Sequence, residues 1–360
     1  MLAVSEQMWA ALKSTQESYT VVVASGVEMR AVGGSLSLNG SQSIQGSGQV
    51  VVFGAGPVSM VPALATDPLA PFGQEVAVYR MVRVRSQVWP VPLGVYGITK
   101  VSGAREWRRA GRVLAWEATL DLSDRLLQID RDDFLTVDGP QPGATVWGEV
   151  ARLSPIPIET TVDDASIPPA TVYDSRLKGV ETVLTAIGCE PHLTRSGALT
   201  ARKQDRWLTD TSPSFEVDAV IDWDDEWAGD FYNQVAATSS SDPEVAGFAI
   251  LDDMADPLSV GRAGGRTYRH SSPLYTTAEE ARAGAETTLR RLVARRARMV
   301  TVTGTPELLC LEPGDFGRFT QRDEHGDVLR SVLGEVRTLD MPLDATSPVR
   351  VGVMVRDLRG

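Results

Sequence analysis

The stretch that most constrains the fold of this chain spans residues 172–203, VYDSRLKGVETVLTAIGCEPHLTRSGALTARK. Its first half carries an apolar stripe at the helical period, formed by Leu177, Val180, Leu184 and Ile187. Asp174 lies where a carboxylate can accept a free N–H of the first turn, and Gly188 lies where a helix end favours positive φ. The pattern therefore predicts a helix between Asp174 and Gly188.

A hairpin is predicted directly after this helix. Residues 190–202 contain two short polar–apolar segments, and the Arg-Ser-Gly sequence at 195–197 suits the turn between them. Short helices are also predicted near 123–129 and at 144–153. The segments on both sides read almost entirely as β-structure, so we interpret residues 126–205 as a small α/β insertion.

The flanking segments alternate apolar and polar residues with the period of two that half-buried antiparallel strands require. The clearest run has one apolar face made of Leu114, Trp116, Ala118, Leu120 and Leu122. Residues 33–48 are rich in Gly and Ser, so we interpret them as strand ends and turns. Several short strands with short turns predict closed or nearly closed β-barrels.

The predicted architecture is a β-rich α+β fold, with two barrel-like antiparallel β domains, an inserted small α/β domain and one long helix in the second half. The long helix follows from the capping-box pattern of Thr277 and Glu280, and we expect it to run to about Arg296. The predicted domains are residues 1–125 with an N-terminal helix and the first barrel, 126–205 with the insertion, and 206–360 with the second barrel and the long helix.

Composition excludes several classes of protein. The chain is 42% hydrophobic and 23% charged, which is ordinary for a globular protein. It contains no apolar run long enough for a membrane-spanning helix, and its N-terminus lacks the pattern of a secretory signal, so we expect no membrane anchor. The net charge of −12 argues against a protein that binds duplex nucleic acid, because such binding depends on neutralising phosphates.

Cysteine and histidine offer little material for catalysis or metal binding. Cys189 and Cys310 lie among apolar neighbours, a pattern that favours two buried free thiols over a disulfide. The three histidines lack the spacing of metal ligands and give little basis for a Ser-His-Asp triad. We therefore predict no catalytic residue, no cofactor-binding residue and no metal ligand.

Four other features suggest chemistry, and each has a simpler interpretation. The acidic stretch 222–227 is interpreted as a solvated loop with packed tryptophans rather than a cation site or a carboxylate pair. The glycine-rich stretches 54–57 and 261–266 are interpreted as turns, because neither has the context of a phosphate loop. The aspartates at 130–133 are interpreted as an acidic turn. The arginines at 290–298 are interpreted as a solvent-exposed or interface surface that suits a helix C-terminus.

The order of several segments resembles the phage tail hub family, which includes the central baseplate hub of contractile tails and the hub portion of tail-associated proteins. The segments are Pro92-Leu-Gly-Val-Tyr-Gly-Ile98, Asp124-Arg125, Ile187-Gly-Cys189, Ser196-Gly-Ala-Leu199, Asn233-Gln-Val-Ala-Ala-Thr238, Asp256-Pro257, Thr276-Thr-Ala-Glu-Glu280 and Pro313-Gly-Asp315. They extend over most of the chain in the order that the family shows.

The resemblance implies a structural protein of the virion tail tip, made in the host cytoplasm. It implies a homotrimer with two barrels per subunit, so that the barrels form a pseudo-six-fold ring. The ring would join the tail tube or the distal tail protein to the tip or receptor-binding proteins, and would surround the channel for the tape measure protein and DNA. Carboxylates around this channel would repel the phosphates of DNA, so DNA would pass through without specific binding. Because the sequence ends at Gly360, the enzymatic parts of some relatives are expected on another protein.

Two other functions remain open at this point. One is a peripheral receptor- or carbohydrate-binding β module of the tail tip. The other is a hydrolase that depends on the carboxylates of Asp224 and Glu226 within the acidic stretch.

Overall fold

The structure is a computed structural model, and it confirms a β-rich chain with 46% strand and 18% helix. It describes residues 2, 5–14, 17–136, 138–167, 172–204, 206, 210, 212–226, 231–294 and 299–355. Twelve strands of this described part belong to one large sheet, in which nearly all of the pairings are antiparallel. Two smaller sheets lie outside it.

The first half contains one helix and six strands of the large sheet. These elements are α1 (Glu6–Lys13), β1 (Glu17–Ala24), β2 (Val27–Asn39), β3 (Gly46–Ala55), β4 (Glu75–Val84), β5 (Gln87–Arg109) and β6 (Arg112–Asp124). Ser5 caps α1, because its hydroxyl accepts the N–H of Met8. The strands pair in the order β1-β4-β5-β6-β3-β2, and β1 also pairs with β2. The hydrogen-bonded pairings therefore connect the six strands in a cycle, which we call the first strand ring.

The alternation predicted for 114–122 is present in β6, where Trp116, Ala118, Leu120 and Leu122 are buried, but the prediction is wrong for Leu114, which is exposed. The prediction for residues 33–48 is wrong in part, because β2 continues through Gly33 and Gly34 to Asn39. A Cβ on Gly34 would lie 2.0 Å from the carbonyl oxygen of Gln49 on β3. The glycine therefore permits close approach of two paired strands rather than a turn, and the turn begins after Asn39.

The segment between the two halves forms a unit with its own core. Its elements are α2 (Leu126–Arg131), α3 (Val146–Leu153), α4 (Arg176–Ala186), β7 (Cys189–Leu193) and β8 (Leu199–Lys203). The predicted helix and hairpin are confirmed here as α4 and β7–β8, and Gly188 has a φ of +69°. The helix cap is Ser175 rather than Asp174, since the hydroxyl of Ser175 accepts the N–H of Lys178. We call residues 126–203 the inserted unit.

The second half completes the large sheet and adds a small separate sheet. Its elements are β9 (Glu216–Val217), β10 (Val220–Glu226), β11 (Gln234–Ser239), β12 (Ala246–Ile250), α5 (Val260–Ala263), β13 (Thr267–Ser272), α6 (Ala278–Ala294), β14 (Met299–Gly304), a 3₁₀ turn (Pro306–Cys310), β15 (Phe316–Arg322), β16 (Val328–Pro342) and β17 (Val349–Val355). The large sheet continues from β2 through β16, β17 and β14 to β10, and β15 pairs with β16 and with β9. We call these strands the second strand set.

The long helix predicted from the capping box is α6. Thr277 accepts the N–H of Glu280, and the Glu280 carboxylate accepts the N–H of Thr277. The predicted end of this helix near Arg296 lies outside the described residues. Helix α6 packs on β11 and β12, which form a three-stranded sheet with β13. We call residues 231–294 the side unit.

Three hydrophobic clusters correspond to these parts. The main cluster contains residues from both the first strand ring and the second strand set, so the two share one core. The inserted unit and the side unit each have a cluster of their own. Among the described helices none is both long enough and apolar enough to span a membrane.

Candidate functional site

The hairpin β7–β8 of the inserted unit reaches the place where the two halves of the large sheet meet, and Arg195 in its turn makes the contact. This arginine is buried, with 5% of its surface exposed. Its guanidinium donates to the carbonyl of Leu93 on β5 at 2.8 Å and to the carbonyl of Leu311 at 2.6 Å. One side chain thus binds backbone from the first half and from the second half. We call this region the hairpin junction.

Carboxylates from the second half balance the buried arginines at the junction. Glu312 lies 2.5 Å from Arg202 and 3.6 Å from Arg195, and it is itself buried. Arg202 also contacts Asp315 and donates to the carbonyl of Pro313. The segment that enters β15 is therefore fixed to strand β8 of the inserted unit by charge-assisted hydrogen bonds.

Electrostatics keep Glu312 ionised in this buried place. Burial acts to raise the pKa of the Glu312 carboxyl, but the guanidiniums of Arg195 and Arg202 outweigh burial and hold that pKa far below its usual range. Burial, assisted by Arg202, lowers the pKa of His192 and keeps the imidazole neutral at neutral pH. The His192 Nε2 to Glu312 Oε1 distance of 3.8 Å is too long for a hydrogen bond.

A second contact fixes the same hairpin to the first half. Arg125 makes two hydrogen bonds of 2.7 and 2.6 Å to the Glu75 carboxylate on β4 and donates to the carbonyl of Gly197 at 2.9 Å. Gly197 has a φ of +81°, and a Cβ there would lie 2.9 Å from the Arg125 guanidinium. Glycine at this turn is therefore required both by the backbone and by the approach of the arginine.

Asp124, the neighbour of Arg125, is buried where β6 ends. Its carboxylate accepts the N–H of Gly46 at 2.5 Å and the N–H of Leu126 at 3.0 Å. Burial raises the pKa of Asp124 to about 6, although these backbone donors oppose the shift. The side chain joins the start of β3 to the start of α2, so it connects the first strand ring to the inserted unit.

The hairpin junction brings together segments that are far apart in sequence. Leu93, Arg125, Gly197 and Pro313 come from four different segments that carry the family resemblance. The importance of Arg195 and Arg202 was not predicted, because nothing in a local pattern shows that a turn residue will be buried against partners more than 90 residues away. The arrangement holds elements in place and contains no nucleophile–base pair.

The acidic stretch is a strand rather than the predicted loop. Residues 220–226 form β10, which pairs with β14, and Trp227 lies outside the described residues. Trp223 packs against the main core, and the Arg330 guanidinium lies 4.6 Å from its ring centroid while donating to Asp225 at 2.7 Å. Pairing and the inward tryptophan override the poor strand propensity of aspartate. Asp222 and Asp224 are exposed on this strand.

The other predicted features are placed as follows. The aspartates at 130–133 lie at the exposed end of α2, where Asp132 is 3.4 Å from Arg176. In the glycine-rich stretches Gly56 and Gly264 have positive φ, as turns require. The prediction of turns is wrong for Gly54, which belongs to β3, and for Gly261, which belongs to α5. Arg290 and Arg291 lie on α6, and Arg295, Arg296 and Arg298 lie outside the described residues.

The thiols, the possible metal ligands and the largest groove-like space of the described residues complete the account of the site. Cys189 and Cys310 are buried free thiols, as predicted, and burial raises the pKa of Cys310 to about 12. The described residues contain no group of three His, Cys, Asp or Glu side chains that could hold a metal ion. A cleft of about 750 Å³ separates the inserted unit from the side unit and is lined by both, with Arg291 donating to Gln204 across it.

The fold is similar to those of solved tail proteins. A 43 kDa tail protein of prophage MuSo2 from Shewanella oneidensis matches with a TM-score of 0.55 and 12% identity, over 94% of this chain and 98% of that chain. The tail protein from Neisseria meningitidis MC58 matches with a TM-score of 0.55 and 14% identity, over 95% of this chain and 96% of that chain. This chain has a phage tail protein fold. At these identities the similarity concerns the fold alone.

The sequence itself gives no such match. No protein-family model matches the chain. No curated protein matches it either. The similarity to the solved tail proteins is therefore one of backbone structure, and it adds to the order of segments that resembles the hub family.

Proposed function

We propose that this chain is a structural hub protein of a phage tail tip or baseplate, without catalytic activity of its own. Three copies would form a pseudo-six-fold ring that joins the tail tube or distal tail protein to the tip. The ring would surround the channel used by the tape measure protein and by DNA, and the protein would be part of the virion.

The observation that carries this proposal is the likeness of the fold to two tail proteins over nearly the whole of each chain. The hairpin junction adds support, because the segments that resemble the hub family contact one another there. The segments that resemble the hub family are scattered along the sequence. Their shared role in holding the hairpin junction together would explain why the resemblance is concentrated in them.

We further propose the domain division 1–125, 126–205 and 206–360. The cyclic pairing of the first strand ring supports a first hub barrel, and the second strand set supports a second one. The separate core of the inserted unit supports the middle boundary. In this interpretation the side unit is an addition to the second barrel, with its own small core.

The experiment that tests this function is the solution mass of the purified protein by light scattering, with negative-stain images of the same peak. We expect a mass near three times 38.8 kDa and a ring with a central hole. A protein that remains a compact monomer, even when mixed with a tail tube or distal tail ring, would contradict the hub function. A glycan-array signal from such a monomer would favour the receptor-binding module.

The hydrolase alternative is tested separately. Under the hub function, a D224N/E226Q variant folds like the wild type, because both substitutions keep the size of the side chain. Loss of a hydrolytic activity in that variant, with its fold unchanged, would show that the carboxylates of β10 are catalytic.

A further inference from the structure

The hairpin formed by the ends of β5 and β6 differs from the rest of the molecule in charge and exposure. Residues 103–115 have the sequence GAREWRRAGRVLA. They carry four arginines and one glutamate, in a chain with a net charge of −12. Residues 107–112 are all exposed, and they include Trp107 with 43% of its surface exposed. We call residues 103–115 the basic arm.

The backbone of the basic arm is well defined, so its charges are held in fixed positions. Ala110 and Gly111 have φ of +49° and +80°, as in the tight two-residue turns that match the twist of paired strands. Arg105 pairs with Glu117 across the strands, and Trp107 lies 6.4 Å from Phe53 of β3, measured between ring centroids. The arm is therefore an ordered projection rather than a loose loop.

Two of the arm's cations lack a counter-charge. Arg108 pairs with Glu106, but Arg109 and Arg112 make no ion pair within the described part of the chain. These two arginines are directly opposite each other across the hairpin. Like charges at opposed positions destabilise a strand pair, so the arm gains from an anionic partner.

Strand β10 of the second strand set carries the complementary charge. It is the last strand in the pairing order, and its Asp222 and Asp224 are exposed and make no ion pair among the described residues. Six strands separate β5 from β10 in the pairing order. The basic arm and β10 are thus remote from each other in the pairing of the large sheet.

We propose that the basic arm docks on the β10 face of a second copy of this chain, with Arg109 and Arg112 against Asp222 and Asp224. Two different surfaces of a subunit that complement each other give a head-to-tail contact, which forms a ring when its rotation closes. The inference rests on the proposed trimeric hub and specifies which surfaces join its subunits. Nucleic acid is the less suitable partner, since two uncompensated cations on an acidic protein give little affinity for phosphates.

The test compares the oligomeric state of four proteins by sedimentation velocity over a range of concentrations. We expect R109E/R112E and D222K/D224K each to weaken association at least tenfold, because each places like charges at the contact. The quadruple variant restores opposite charges at every contact, so we expect it to recover the trimer. In an equimolar mixture of the two double variants, opposite charges meet only where one variant contacts the other. A ring of three subunits cannot alternate two variants, so we expect the mixture not to form the trimer.

A matched control carries the same change of charge elsewhere. Arg131 and Lys203 are exposed residues of the inserted unit without an ion pair among the described residues, and R131E/K203E is expected to associate like the wild type. A wild-type trimer that neither reversal affects would overturn this inference and leave the hub function intact. A wild type that is monomeric at every concentration would overturn both. Duplex DNA binding that is lost in R109E/R112E, with the trimer unchanged, would show the arm to be a DNA contact.

Discussion

At the scale of single residues, buried charge at the hairpin junction decides how the parts of this chain are held together. Arg195 is enclosed by two backbone carbonyls and by Glu312. Replacing a buried ion pair with apolar residues can be neutral, but removing one member leaves the other charge uncompensated. The junction residues are therefore expected to be among the most sensitive positions in the chain.

We predict that R195M lowers the free energy of unfolding by about 3–5 kcal/mol, because it removes one of the two arginines that compensate the buried Glu312 carboxylate and takes away the donor to the Leu311 carbonyl. Urea unfolding followed by tryptophan fluorescence measures the change. The control is R105M, which breaks the ion pair of Arg105 with Glu117. The Arg105 side chain is 65% exposed, so this change should lower the free energy of unfolding by less than about 1 kcal/mol. Equal losses in both variants would contradict the prediction.

Asp124 gives a prediction of pH dependence. Its pKa is raised to about 6 in the fold, above the value of about 3.9 in an unfolded chain. A raised pKa contributes stability that is present below pH 4 and is lost as the pH rises through 6. The free energy of unfolding of the wild type relative to D124N should therefore fall by up to about 3 kcal/mol between pH 4 and pH 7. A difference that is constant over this range would show that Asp124 does not titrate there.

At the scale of elements, one glycine determines how α6 packs in the side unit. Gly247 on β12 lies under the helix, and a Cβ there would come within 2.2 Å of the backbone nitrogen of Arg282 and 2.5 Å of the carbonyl carbon of Ala281. Both contacts are with backbone atoms, so the helix itself would have to move. The small core of Val235, Ala237, Ala249 and Ala285 depends on this close approach.

We predict that G247A lowers the free energy of unfolding by about 1–3 kcal/mol, as overpacking usually does. Hydrogen exchange would place the loss of protection within the side unit. G33A is the matched control, since it is also a strand glycine and its new Cβ would meet nothing closer than Val51 Cγ2 at 3.9 Å. The prediction fails if G247A and G33A behave alike.

At the scale of the whole molecule, the two halves are joined by more than the chain connection. Residues 35–39 of β2 pair with 338–342 of β16, and both halves contribute to the main hydrophobic cluster. Arg80 on β4 donates to the carbonyls of Pro342 and Asp344, and the Thr20 hydroxyl donates to the carbonyl of Leu343. The six strands of the first strand ring thus pair in a cycle, but their hydrophobic core also contains residues of the second half.

We therefore predict that a fragment of residues 1–125 unfolds at a lower urea concentration than the full chain, or aggregates through the exposed edge of β2. Trypsin resistance of β1–β6 in the fragment and in the full chain provides the comparison, at equal protein concentration. A fragment as resistant as the full chain would show that the first ring is autonomous and that the contacts with β16 contribute little.

The sequence by itself determined the local structure. Side-chain spacing identified α4 and the β7–β8 hairpin, the capping box identified α6, and alternation identified β6, because these signals depend on residues only a few positions apart. It also supplied the order of segments that resembles the hub family. It missed the course of β2 through Gly33 and Gly34, since glycine in a strand has the same local pattern as glycine in a turn.

Only the tertiary structure decided which elements meet. The cyclic pairing of six strands, the strand conformation of the acidic stretch and the burial of Arg195 each depend on partners that lie many tens of residues away in the chain. Periodicity reports which face of an element is apolar and not what covers that face. The physical reason is that burial and strand pairing are properties of a contact between two segments, and one segment alone specifies only half of that contact.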